Sequence, residues 1–219
     1  MTNMQKTIGS LLAVLMTLFV LTGACAVEAG DVVTFGSFRQ NKGEEPIEWM
    51  VLDADGDTAV LLSRYILDCR PADEWGEARW NRTQLCKWLD STFSNAFTNE
   101  EYRHLVPNEN DELIGIPTLD DVTDPDYGFS ASQDAHDMTR VASGTKYAKG
   151  HNLWVNDDNG FSTYYTCTNN RHNKDTFCTV RSDGAIGYAR PDRDNVGVRV
   201  LIYVETDAFP DDSEDGGNG

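Results

Sequence analysis

Basic residues are scarce. The 219-residue chain carries 18 Lys and Arg against 36 Asp and Glu, a formal net charge of −18. Nucleic acid and anionic lipid headgroups both call for a cationic surface, so neither is expected as the main partner. No C-x-x-C occurs, and His104, His136, His151 and His172 do not stand at ligand spacing, which argues against a zinc site. No G-x-S-x-G marks a hydrolase nucleophile, and no internal repeat marks a solenoid. What is present is ordinary for a globular protein. The chain is 40% hydrophobic and 25% charged, which excludes wholesale disorder and supplies one well-buried core.

The N-terminus reads as a secretory signal. Lys6 gives a positive start, Ile8 to Leu21 is almost wholly apolar, and Ala24-Cys25-Ala26 has the small-x-small form of a cleavage site. The apolar run is shorter than the roughly 20 residues that span a bilayer. Cleavage after Ala26 leaves residues 27–204 as a single globular domain and 205–219 as an acidic, Gly-rich tail expected to be disordered. The run Leu21-Thr22-Gly23-Ala24-Cys25 also resembles a lipobox, although its apolar residue lies four rather than three before the cysteine. Lipidation at Cys25 is therefore the alternative, and a membrane is a partner only in that case. Either route takes the protein out of the cytoplasm, as a secreted chain or as an anchored lipoprotein.

Cys69, Cys86, Cys167 and Cys178 remain after cleavage. An even number outside the cell suggests two bridges, and three pairings are open. Cys69–Cys86 and Cys167–Cys178 are favoured, the second because Asn169 to Asp175 between its members is polar like a hairpin tip.

Period-two patterning predicts a β-meander over 31–64, with Asp55-Gly56 as its hairpin turn. Asp53, Asp55 and Asp57 mimic the start of a calcium loop, but Arg64 stands where position twelve needs an acid. Leu85, Trp88, Leu89, Phe93 and Ala96 recur at three and four, predicting a helix over 81–97 capped by Asn81 or Thr83. Thr98-Asn99-Glu100-Glu101 is a capping box for a short helix reaching about Leu105, before Pro107. Residues 122–160 are irregular and rich in Asp, Ser, Gly and Asn, the kind of long loop that often carries function. Strands return at 162–168, 176–181 and 185–189, and Val196 to Val204 reads as a last, central strand. The order of strands, helices, loop and strands is α+β.

Several stretches together resemble an uncharacterised family of secreted proteins from gut-type Gram-positive bacteria, domain of unknown function 6273. They are Gly30-Asp31-Val32-Val33-Thr34-Phe35-Gly36, Pro46-Ile47-Glu48-Trp49-Met50-Val51-Leu52, Leu61-Leu62-Ser63, Trp80 with Leu85, Trp88 and Leu89, Thr145-Lys146-Tyr147-Ala148-Lys149, and Gly197-Val198-Arg199. The chain departs from the family pattern at Cys86, where an Arg is usual, at Tyr165-Thr166-Cys167-Thr168, and at Val200 in place of Pro. The resemblance implies a C-type-lectin-like fold, with an antiparallel sheet, flanking short helices and a long loop region that carries the ligand site.

Calcium-dependent lectins use E-P-N or Q-P-D and W-N-D, and none occurs here. Trp154-Val155-Asn156-Asp157-Asp158 comes near the last, so Asp157 and Asp158 are candidate calcium ligands, or part of an Asx turn. No other cofactor is expected. Arg, Asn and Asp gather at the hairpin tip and at 190–195, with aromatics on neighbouring elements. Trp154, Tyr164, Arg171, His172, Lys174, Tyr188, Arg190, Asp192, Arg193 and Asp194 are therefore the candidate ligand-binding residues, for an extracellular glycan or protein. The favoured reading is a non-enzymatic binding module. The alternatives are an enzyme of the formylglycine-generating type or one directed at the cell wall, and a structural envelope lipoprotein without ligand.

Overall fold

A computed structural model describes residues 27–209. The signal segment, Cys25 and residues 210–219 lie outside the described residues. In chain order the elements are β1 (Val32–Arg39), β2 (Glu44–Asp55), β3 (Thr58–Ser63), β4 (Asp68–Cys69), α1 (Gln84–Ser91), β5 (Leu105–Val106), β6 (Ile114–Gly115), α2 (Lys146–Gly150), β7 (Tyr164–Asn169), β8 (Phe177–Val180), β9 (Ile186–Ala189), β10 (Gly197–Val198) and β11 (Leu201–Glu205). The class is α+β, mostly antiparallel sheet with few short helices, as the order of patterns predicted.

β1, β2 and β3 form the predicted meander, and Gly56 takes the turn at φ +61°. Alternation decides which side chains are buried. Ile47, Trp49 and Val51 enter the main core with Phe35, and the Trp49 indole donates to the Phe35 carbonyl at 2.7 Å. Leu52, Val60 and Leu62 sit in a smaller cluster with Phe129 of the long loop, so β3 is covered on both faces. At Gly36 (φ +68°) β1 slips register, and a Cβ there would stand 2.7 Å from the Phe97 ring. The six-stranded sheet runs β1-β2-β3-β11-β5, with β6 also on β11. The five-stranded sheet runs β4-β10-β7-β8-β9, antiparallel except where β10 meets β7.

The last strand is central as expected, but divided. Residues 197–198 belong to one sheet and 201–205 to the other. The chain changes sheets at the fully buried Arg199. Its guanidinium donates to the Ser63 carbonyl (2.7 Å), the Arg140 carbonyl (3.1 Å) and the Tyr164 hydroxyl (3.2 Å). Ser63 closes the corner: its N–H donates to the Val200 carbonyl (2.8 Å), and its hydroxyl accepts from the Val200 N–H (3.0 Å). A charge at that point forces the break that apolar patterning does not reveal.

The predicted helix over 81–97 is three pieces, a 3-10 turn at Trp80–Arg82, α1, and a 3-10 turn at Phe93–Ala96. Thr83 is its cap, accepting from the Cys86 N–H at 3.1 Å. Thr92, Ser94 and Asn95 hold helix poorly, and the tighter turn still buries Phe93 and Ala96. The capping box is reciprocal, Thr98 N–H to Glu101 at 2.7 Å and Glu101 N–H to Thr98 at 3.2 Å, but it opens a 3-10 turn that ends at His104. The first residues assigned to the tail are ordered. Glu205 completes β11, Thr206–Ala208 form a turn, and the Phe209 ring packs 5.8 Å from Phe35.

The long loop owes its form to Arg140, which is completely buried. All five guanidinium donors reach backbone carbonyls: Gly184, Val122 (3.1 Å), Ser130 (3.2 Å), Ser132 (3.0 Å) and Ala135 (2.9 Å). The Arg140 carbonyl in turn accepts from the Tyr164 hydroxyl at 2.7 Å. Arg140→Met orphans these carbonyls, and each buried unpaired one costs about 1–3 kcal/mol. Urea unfolding of the variant should show a loss of at least about 3 kcal/mol, and an unchanged midpoint would refute this role.

Candidate functional site

β8 and β9 end beside the loop 190–196 and leave a groove of about 400 Å³. Its walls carry Trp154, Arg181, Tyr188, Arg190 and Arg193, and Thr163, Thr176, Thr179 and Asn195 supply smaller polar groups. Trp154 is 49% exposed and Tyr188 54%, among the few large apolar side chains the described surface leaves open. Thr179 and Gly187 are cross-strand partners. A Cβ on Gly187 would meet the Arg181 stem at 2.9 Å, so glycine here lets that side chain lie across the strand.

The loop is clamped from beneath. The buried Tyr165 hydroxyl donates to the carbonyls of Arg190 (2.8 Å) and Arg193 (3.2 Å). The Asp73 N–H reaches the Pro191 carbonyl (3.0 Å), the Cys69 thiol the Asp194 carbonyl (3.3 Å), and the Trp154 N–H the Asn195 carbonyl (3.2 Å). These ties fix the backbone that presents Arg190 and Arg193 before any ligand arrives. Arg190 grips Asp192 through two bonds of 3.1 and 3.0 Å, and this contact holds the Asp192 carboxyl below its ordinary range. Arg181 pairs with Asp183 at 2.8 Å.

Four of the ten predicted binding residues, Trp154, Tyr188, Arg190 and Arg193, therefore line one groove. Asp192 serves by holding Arg190, and Asp194 is exposed and contributes its carbonyl to the clamp. Tyr164 is a correction. It is wholly buried with its hydroxyl committed to Arg140, so no ligand reaches it. Arg171, His172 and Lys174 stand on the exposed hairpin tip, where Arg171 bonds to His172 at 3.0 Å, and they do not line the groove. Arg181, Thr179 and Gly187 were missed. Counting strand register outward from the Asp183-Gly184 turn would have placed them together.

Asp157 and Asp158 lie exposed in a turn built by the asparagines on either side of them. Asn156 and Asn159 spend their side-chain oxygens on the N–H groups of Asp158 (2.9 Å) and Phe161 (3.0 Å), as an Asx turn does. Their amide nitrogens bond to Ser182, which fixes the turn against the β8–β9 hairpin. Among the described residues, the one group of three ligating side chains within reach of each other is elsewhere, at His104, Glu205 and Asp207 on the surface.

The predicted bridges Cys69–Cys86 and Cys167–Cys178 are absent, and all four residues are free thiols. Cys69 faces the Asp194 carbonyl, whereas Cys86 lies 3.5 Å from the Glu112 carboxylate. Cys167 and Cys178 fail by register: β7 and β8 pair Tyr165 with Thr179 and slip before Asn169, and Cys178 pairs with Tyr188 on its other side. Burial, reinforced by Asp68 and Asp194 for Cys69 and by Glu112 for Cys86 and Cys167, pushes these three thiols up to about 12.

Comparison with protein-family models, with curated proteins and with solved structures finds no match to this chain.

A thiol attacks only as thiolate, so groups raised this far stay protonated and inert at neutral pH and become reactive only toward their shifted values. The chain from residue 27 should yield four thiols to a disulfide reagent in denaturant at pH 8. Folded at the same pH, Cys69, Cys86 and Cys167 should react at least about 100-fold more slowly than a free thiol. Fewer than four thiols in denaturant, or rapid labelling of the folded protein, would contradict this picture.

Proposed function

We propose that the chain is an exported, non-enzymatic binding module of C-type-lectin-like architecture that holds a saccharide in the groove between β8, β9 and loop 190–196. The observation that carries this reading is the pair of half-exposed aromatics, Trp154 and Tyr188, set in one groove with Arg and Thr side chains on a clamped backbone. Sugar rings present flat C–H faces that pack on aromatic rings, and their hydroxyls need donors and acceptors close by. Rigid aromatics with polar neighbours lose little entropy on binding. The fold assignment is supported by the small sheets, short helices and long pinned loop, together with the sequence resemblance.

The enzyme alternatives find less support. Nucleophilic catalysis needs a base within hydrogen-bond reach of the attacking group. Among the described residues the histidines contact carboxylates, an arginine or the Tyr147 carbonyl, never a Cys or Ser side chain. Free thiols are what formylglycine-generating chemistry would call for, yet here burial and neighbouring carboxylates raise them, the reverse of an activated pair.

A glycan and mucin array, probed with calcium and then with chelator, tests the reading. Binding should persist in chelator, since no carboxylate lines the groove to hold a cation. Trp154→Ala should weaken it at least about tenfold with the unfolding midpoint unchanged, and Arg171→Ala outside the groove should leave it intact. No saccharide bound in either condition would overturn the proposal and turn attention to protein ligands.

A further inference from the structure

The three arginines of the groove are not equivalent. Arg181 is neutralised by Asp183 two residues on, at 2.8 Å, and Arg190 by Asp192 two residues on, at 3.1 and 3.0 Å. Both pairs are local, formed within one turn of chain. The Arg193 side chain lines the same groove and makes no hydrogen bond and no ion pair with the described residues, although its charge reaches the Asp192 carboxyl that Arg190 holds. The chain has twice as many acidic as basic residues, 36 against 18. Other arginines of the described surface also lack an ion pair, but of the three in this groove Arg193 alone does. Here Asp194 is the next residue, yet what ties it into the fold is its carbonyl, which accepts from Cys69.

A free guanidinium offers a planar fork of donors matched to a carboxylate, and this one lines the same groove as the two open aromatics. Building on the saccharide-binding reading, we infer that the groove selects acidic saccharides, those whose ring bears a carboxylate. The ring packs on Trp154 or Tyr188, and the carboxylate is received by Arg193. The paired Arg181 and Arg190 add donors without adding net charge. Discrimination comes from the charge-assisted contact at Arg193, because the field of the whole molecule repels anions.

The test compares matched probes on the full chain by calorimetry, lactose against sialyllactose and a neutral hexose disaccharide against its uronic-acid counterpart. The acidic member of each pair should bind at least about tenfold tighter. Arg193→Gln should narrow that ratio to within about threefold, whereas Arg171→Ala should leave the ratio as it is. Equal affinity for the two members, or a preference that survives Arg193→Gln, overturns the inference and leaves the saccharide-binding reading standing. Failure of all four probes to bind overturns both.

Discussion

A guanidinium group has five N–H donors and no acceptor, so burying one obliges the chain to bring oxygens to it from every side. Arg140 does this with five carbonyls drawn from residues 122, 130, 132, 135 and 184. The segment 122–144 has almost no regular backbone bonding of its own and takes its path from meeting that demand. Arg199 imposes the same obligation at the corner where the C-terminal strand leaves one sheet for the other. The two arginines are joined through the Arg140 carbonyl and the Tyr164 hydroxyl, so the loop and the junction of the two sheets form one buried polar network.

The network reaches the groove by way of the five-stranded sheet. Gly184, which accepts from Arg140, is the turn between β8 and β9, and its positive φ and close seat against the Asp137 backbone hold that hairpin in place. Tyr164 and Tyr165 are neighbours on β7 with opposite duties, one hydroxyl on the Arg140 carbonyl and the next on the loop 190–193. The ties to the buried network and to the groove are thus one residue apart on a single strand.

Features that depend on near neighbours were legible in the sequence. The meander, its Asp55-Gly56 turn, the Thr98–Glu101 box and the strands after Phe161 all follow from short-range pattern. So did the grouping of Trp154, Tyr188, Arg190 and Arg193, since aromatic and Arg-rich loops next to predicted strands mark a surface. What was not legible depends on distant partners. Arg140 looked like any polar loop residue because its five acceptors are scattered over more than 60 positions. Arg199 hid inside an apolar strand whose pattern gives no sign of a corner. Tyr164 read as a surface aromatic, although a hydroxyl can be buried once a carbonyl is waiting for it. The cysteine pairing rested on number and compartment, whereas a bridge needs geometry that the β7–β8 register denies.

The central claim is that buried arginines shape the loops, so that the groove exists before any ligand binds. Hydrogen exchange on the ligand-free protein tests it most directly. The amides of Ser130 and Thr139, bonded to Asp137, of Ile186, bonded to Gln133, and of Trp154, bonded to Asn195, should be protected to a degree comparable with the β3–β11 ladder. Exchange of these amides at the rate of an unstructured peptide, with the sheet still protected, would contradict the account.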